Sequence, residues 1–98
     1  MAFIQIIEVS TSHADEIMAL DREYEQAVAG RTTVRRALVA RDRKDPKRHF
    51  IMVFFDSYES AMQNSNLPET AALAEKMMAL VDGTPSFIDL DIVEDESF

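Results

Sequence analysis

Two segments of this sequence are apolar at almost every position, and both are short enough to be strands. Phe3 to Val9 is interrupted only at Gln5 and Glu8, and Arg48 to Phe55 ends in the unbroken run Phe50-Ile51-Met52-Val53-Phe54-Phe55. Successive side chains of a strand point to opposite faces. Phe3, Ile7 and Val9 therefore oppose Ile4 and Ile6, and Ile51, Val53 and Phe55 oppose Phe50, Met52 and Phe54. A strand that is apolar on both sides needs cover on both sides, so it belongs at the centre of a sheet.

The remaining segments fit around these two. Ser12 is placed to cap a first helix, with Asp15 and Glu16 favouring its positive end, and Gly30 is its natural stop. Its apolar stripe is Ile17, Leu20, Tyr24, Ala27 and Val28. Thr32 to Arg41 reads as a second strand, joined to the third by the charged turn Asp42–Lys47. Asp56 is expected to cap a short helix with Glu59 at its third position, and Asn64-Ser65-Asn66 to break it. Asn66-Leu67-Pro68-Glu69 restarts a helix that runs through Val81, along the stripe Leu73, Met77, Leu80 and Val81. Gly83 and Pro85 then end it. Strand 4 is expected over Phe87–Val93, with Ile88, Leu90 and Ile92 opposing Asp89 and Asp91, followed by the acidic tail Glu94-Asp95-Glu96. The prediction is one α+β domain over residues 1–98, ferredoxin-like β-α-β-β-α-β, with an antiparallel sheet of order 4-1-3-2 and its helices on one face.

Those helices cover only one side of the sheet. The other would expose a contiguous apolar patch of the kind that marks an interface. Two such sheets packed face to face would hide both patches, so a homodimer with a barrel-like core is the expected assembly. A net charge of −8 argues against nucleic acid and against an acidic membrane surface. No apolar run approaches the roughly 20 residues that span a bilayer, and the first eight residues read as a strand with no signal peptide. The absence of cysteine excludes disulfides, thiolate metal sites and cysteine nucleophiles, and fits a cytoplasmic location. With only Gly30 and Gly83 there is no phosphate-binding glycine loop, and no G-x-S-x-G elbow is present. The sequence calls for no cofactor and no metal.

The element order at this length, with strand 3 running into Phe54-Phe55-Asp56-Ser57-Tyr58-Glu59-Ser60-Ala61-Met62 and a second opening at Asn66-Leu67-Pro68-Glu69-Thr70, resembles the dimeric α/β-barrel superfamily. Within it, the chain is most similar to antibiotic biosynthesis monooxygenase-type domains, and the resemblance spans essentially the whole chain. It implies a pocket between helices and sheet in each protomer. Some such proteins oxidise aromatic polyketide-like substrates with oxygen and no cofactor, and others degrade haem. The haem-degrading type uses an asparagine on strand 1, a tryptophan and a histidine on the late helix. Here Gln5 stands near the asparagine position, there is no tryptophan, and no histidine lies between Asn64 and Val81. The resemblance therefore points away from haem degradation.

Candidate residues follow from these considerations. Gln5 interrupts an apolar strand, so its amide needs hydrogen-bond partners, from the protein or from a ligand. His49, at the start of strand 3, is the better placed of the two histidines to act as a base; His13 lies in the first turn of helix 1. Gln5 and His49 are the catalytic candidates, and a pocket for a small aromatic molecule is expected from Phe3, Gln5, Met18, Tyr24, Tyr58, Met62 and Met77. Asp89 and Asp91 share a face of strand 4, where they serve acid/base work, bind a cation, guard an edge strand against pairing, or meet Arg35 or Arg36 across a subunit contact. Eight of the ten basic residues fall between Arg31 and Arg48, so a solvated hairpin and a site that steers anions both remain open. Two functions fit. One is a small-molecule-binding or non-catalytic stress or metabolic module. The alternative is a cofactor-independent monooxygenase acting on an aromatic polyketide-like or quinol substrate.

Overall fold

At the centre of the sheet, β1 (Phe3–Ser10) pairs antiparallel with β3 (Arg48–Phe55), from Phe3 opposite Phe55 to Ser10 opposite Arg48. The computed structural model describes residues 2–98. β2 (Arg36–Arg41) lies outside β3, and β4 (Asp82–Asp91) lies outside β1, giving the order β2-β3-β1-β4 that the strand pattern predicts. Among the described residues, three helices complete the fold: α1 (Ala14–Val28), α2 (Tyr58–Ser65) and α3 (Pro68–Met78).

The register assigns every strand residue to a face. Phe3, Gln5, Ile7 and Val9 stand with His49, Ile51, Val53 and Phe55, with Ala37 and Val39 of β2, and with Phe87, Asp89 and Asp91 of β4. The helices lie on this side. Phe3, Phe55 and Ala61 of α2 form the buried core cluster, with Val34, Val53 and Met62 packed against it. Farther along, Val9, Ile17 and Ile51 are buried, and Val28 is almost fully enclosed.

The opposite face carries Ile4, Ile6, Phe50, Met52, Phe54, Leu38, Ile88 and Leu90, and no helix covers it. Arg36 lies over the Phe54 ring at 5.8 Å and Arg48 over Phe50 at 4.9 Å. A folded monomer of this mass exposes about 5,600 Å² by surface scaling. This chain exposes 6770 Å². Among the described residues no helix is long and apolar enough to cross a membrane.

Several boundaries differ from the sequence expectation. Helix α1 begins at Ala14, and Ser12 does not cap it. The entry is held by buried Thr11, whose hydroxyl accepts from His13 N at 2.9 Å and donates to the Leu80 carbonyl at 2.6 Å. For α2 the cap is Ser57, accepting from Ser60 N at 3.0 Å, which frees Asp56 to pair with Arg35. α2 runs through Asn64 to Ser65, and α3 starts directly on Pro68 with Leu67 before it and no side-chain cap. α3 stops at Met78, three residues short of Val81, and β4 begins at Asp82, five before Phe87. Gly83 (φ +72°) and Pro85 therefore lie inside the strand. β4 is an edge strand with a register irregularity near Glu8 and Ser10, the setting where glycine and proline are tolerated. β2 opens only at Arg36, because the preceding residues turn their side chains to α2 and α3.

Candidate ligand cavity between helices and sheet

The helices touch the sheet at its two ends and are held off between them. α2 sits on the Phe3–Phe55 end, and Ile17 of α1 sits near Val9, His49 and Ile51. The space between is a cavity of about 540 Å³, within the range of small-molecule sites. Its floor is Gln5 and Ile7 of β1, Ile51 and Val53 of β3, and Ala37 and Val39 of β2. Met18 and Tyr24 of α1, Asn64 of α2, and Leu73 and Met77 of α3 supply the walls. The lining is predominantly apolar, and methionines make it adaptable.

Its polar part is one connected network. Thr32 Oγ1 donates to Asn64 Oδ1 at 2.7 Å, Asn64 Nδ2 donates to the Tyr24 hydroxyl at 2.9 Å, and that hydroxyl lies 2.7 Å from Thr70 Oγ1. Thr70 Oγ1 donates to the Asn64 carbonyl at 2.7 Å. Each hydroxyl owns one hydrogen. Thr70 spends its hydrogen on the carbonyl, so Tyr24 must donate to Thr70, and Asn64 must donate to Tyr24. The opposite amide orientation would leave one of these short contacts without a hydrogen. Asn64 is 7% exposed, and a buried amide in such a network has one orientation. Nδ2 carries two hydrogens and Tyr24 takes one. The second N–H has no acceptor among the described residues, and Asn64 is one of the residues that line the cavity.

Around this network, residues 31–35 run along α2 and α3 like a strap. Arg31 pairs with Glu69 at 2.6 Å, Thr33 donates to the Ser60 carbonyl, and Arg35 pairs with Asp56 at 2.6 Å. The hydrogen bond from Arg31 holds the Glu69 carboxyl below its usual range, and that from Arg35 does the same for Asp56. Both carboxyls titrate lower in the folded chain than in the unfolded one. The pairs thus favour folding above the ordinary carboxylate range, and that contribution is lost as pH falls through the folded pKa values. On α1, Asp21 lines the cavity half-buried, and desolvation raises its carboxyl pKa, partly offset by Arg22.

Gln5, Met18, Tyr24 and Met77 line this cavity. Phe3, Tyr58 and Met62 do not. Phe3 points to the helix side but is buried under α2, Met62 packs on that same cluster, and Tyr58 lies edge-on to Phe3 at 5.6 Å with half its surface exposed. His49 is also separated from Gln5: it is buried with Nδ1 2.9 Å from the Lys47 carbonyl, in a small hollow with Val9, Thr11 and Ile17. His13 is exposed, 3.6 Å from Glu16. The Gln5 amide finds its partner in Asp89, donating to Oδ1 at 3.2 Å. Neither Arg35 nor Arg36 is directed at Asp89 or Asp91 within the chain, since Arg35 is held by Asp56 and Arg36 lies over Phe54. In the basic hairpin, Arg48 pairs with Glu8 and Asp42, and Lys47 with Asp82. Asn64, Thr32, Thr70 and Asp21 escape a sequence reading that takes Asn64-Ser65-Asn66 as a helix break. The available signal was the spacing of Asn64 from Ala61, which puts both on the buried face of α2.

No family model matches the sequence, and no curated protein matches it. Solved structures do match the fold. SnoaB, a cofactor-independent oxygenase from Streptomyces nogalater solved as an asparagine-to-alanine variant, superposes with a TM-score of 0.81 at 10% identity, over 96% of this chain and 95% of that one. Rv0793 from Mycobacterium tuberculosis gives 0.78 at 10% identity, over 99% of this chain and 100% of that one. An antibiotic biosynthesis monooxygenase gives 0.73 at 14% identity, over 94% and 99%. The chain shares the fold of these antibiotic biosynthesis monooxygenase-like structures, a four-stranded antiparallel sheet with its helices on one face.

The network makes a graded prediction. Thr32→Val strands the buried Asn64 Oδ1 and is expected to cost about 1–3 kcal/mol in urea unfolding. Arg31→Ala removes an exposed pair and is expected to cost under about 1 kcal/mol. Equal small losses would show that Asn64 is not held by Thr32.

Proposed function

We propose that this chain binds a flat, mostly apolar organic molecule in the cavity and oxygenates it without a cofactor, as a homodimer joined through its uncovered sheet faces. The observation that carries the reading is Asn64, which lines a predominantly apolar cavity with its amide orientation fixed by Thr32, Tyr24 and Thr70 and with one N–H that no described residue accepts from. A donor fixed before the ligand arrives stabilises negative charge that develops on a ligand oxygen, and in a water-poor site it does so more strongly than in bulk solvent. An electron-rich ring with an ionisable hydroxyl or an adjacent activated methylene fits this arrangement. Loss of a proton gives an oxyanion that Asn64 stabilises. The electron-rich carbon then reduces dioxygen, the methylene becomes a carbonyl, and the second oxygen atom leaves as water. The likeness to SnoaB, itself a cofactor-independent oxygenase, supports this chemistry.

A binding role without turnover is favoured by a different observation. Every buried side-chain nitrogen and oxygen among the described residues already has a partner within the chain, so the network stands without substrate. Oxygen uptake separates the two. With an anthrone as substrate, the oxygenase consumes one dioxygen per molecule oxidised, and Asn64→Ala lowers the rate by roughly 10²-fold, the size expected for losing one oxyanion donor. Binding without oxygen consumption would leave only the binding role.

The dimer is supported by the apolar face of β1, β3 and the flanking strands, which includes Leu38, Ile88 and Leu90 at 37–44% exposure. Light scattering at micromolar concentration is expected to give a dimer mass, and Met52→Glu a monomer. A monomeric wild-type chain would contradict this assembly.

A further inference from the structure

On α1, Ile17, Asp21, Tyr24 and Val28 share one face, and three of the four behave as a core stripe should. Ile17 and Val28 are buried, and Tyr24 places its hydroxyl in the Asn64 network. The fourth is an aspartate. A leucine or alanine would serve both the helix and the packing there, since aspartate is a poor mid-helix residue. Its carboxylate lines the cavity half-buried, and no described residue hydrogen-bonds or ion-pairs with it.

Nearby cations do not compensate it. Arg22 and Glu25 flank it on α1, and Arg35 and Arg36 approach the cavity from the β2 side. Arg35 is bound to Asp56, Arg36 lies over the Phe54 ring on the other face of the sheet, and Arg31 is bound to Glu69. Arg22 alone influences Asp21, and burial outweighs it. A carboxylate partly withdrawn from water with no hydrogen-bond donor is a cost to the fold, which Arg22 offsets only in part. Asn64, which lines the same cavity from α2, has an amide N–H to donate. The two groups make opposite demands on whatever lies between the helices and the sheet.

We infer that Asp21 is the specificity-determining residue of this cavity, accepting a hydrogen bond from an aromatic or enolic hydroxyl on the ligand and repelling ligands that are anionic at that position. The inference rests on the cavity being the ligand site. A hydroxyl restores the donor that the half-buried carboxylate lacks. A methyl ether cannot, and an anion sets two like charges together in a medium that screens them poorly.

Three fluorescent probes on one ring test this: 2-naphthol, 2-methoxynaphthalene and naphthalene-2-sulfonate, titrated against the wild type, Asp21→Asn and Asp21→Leu. The wild type is expected to bind 2-naphthol roughly tenfold more tightly than the ether, a typical worth for a hydrogen bond to a charged group, and the sulfonate most weakly. In Asp21→Leu the preference for the hydroxyl vanishes and the sulfonate gains affinity. Excited 2-naphthol is a strong acid, so beside a carboxylate it emits partly as naphtholate. That band is expected from the wild-type complex and lost in both variants. Equal wild-type affinities, or a naphtholate band that persists in Asp21→Leu, would overturn the role of Asp21 while leaving the cavity as the binding site. No binding of any probe to the wild type would overturn the cavity reading, and this inference with it.

Stability supplies a second readout. A carboxyl whose pKa is raised on folding disfavours the folded chain once pH exceeds its unfolded value, and the penalty disappears as pH falls. Asp21→Asn should therefore melt higher than wild type at neutral pH, with the gain shrinking toward about pH 4. A lower melting temperature at neutral pH would show that Asp21 serves the fold, and would overturn the inference.

Discussion

The structure depends on two strands that are apolar on both faces. β1 and β3 cannot tolerate water on either side, yet the chain has helices for only one side. On that side the helices are anchored at the two ends of the sheet, by Phe3, Phe55 and Ala61 at one end and by Val9, Ile17 and Ile51 at the other. The middle of the same surface, around Gln5, Ile7 and Val53, is left as the floor of a cavity. The other side is left without a helix over it. One hydrophobic pattern therefore sets the strand order, the location of the cavity and the face available for assembly.

Polar residues decide how that cavity is finished. The chain leaves α1 through Gly30, whose left-handed backbone (φ +82°) turns it back across α2. It is then fastened by Arg31, Thr32, Thr33 and Arg35 before β2 begins. The outer fastenings are exposed ion pairs, which contribute little individually. The inner one, from Thr32 to Asn64, fixes a buried amide whose other bonds run through Tyr24 and Thr70. The strap thus links the exit of α1 to the orientation of one side chain on α2. Half-buried Asp21, which lacks such partners, stands in contrast to that satisfied network.

Much of the fold was legible because it depends on period-two apolarity, which survives in the sequence without knowledge of the partners. The two-faced centre follows from Phe3–Val9 and Phe50–Phe55, and the strand order from these together with the charged positions of β2 and β4 in a ferredoxin-like connectivity. Boundaries set by single polar residues were less legible. Thr11 and Ser57 take the structural roles that Ser12 and Asp56 were expected to fill, and neighbouring hydroxyl and carboxyl residues look alike until their partners are known. Gly83 and Pro85 read as breakers, yet an edge strand accommodates both. Within the site, Tyr24 and Met77 were reachable from helical spacing, whereas Gln5 was placed on the pocket side by the family resemblance, since parity separates the two faces of β1 without saying which one the helices cover. For Asn64 the spacing from Ala61 marks only a buried position; its role comes from Thr32 and Tyr24, which lie 32 and 40 residues away in the chain. His49 drew notice as a titratable group, but parity says only which face it occupies, and its end of the sheet is capped by Ile17.

The most direct test of the cavity as a prepared ligand site is the side-chain amide of Asn64 in a ¹H–¹⁵N spectrum, recorded free and with saturating 2-naphthol. The prediction is two distinct amide protons in the free protein, one protected from solvent exchange by Tyr24, with the other shifting selectively as the ligand is added. Two protons that both exchange at solvent rates, or a bound ligand that moves neither, would contradict it.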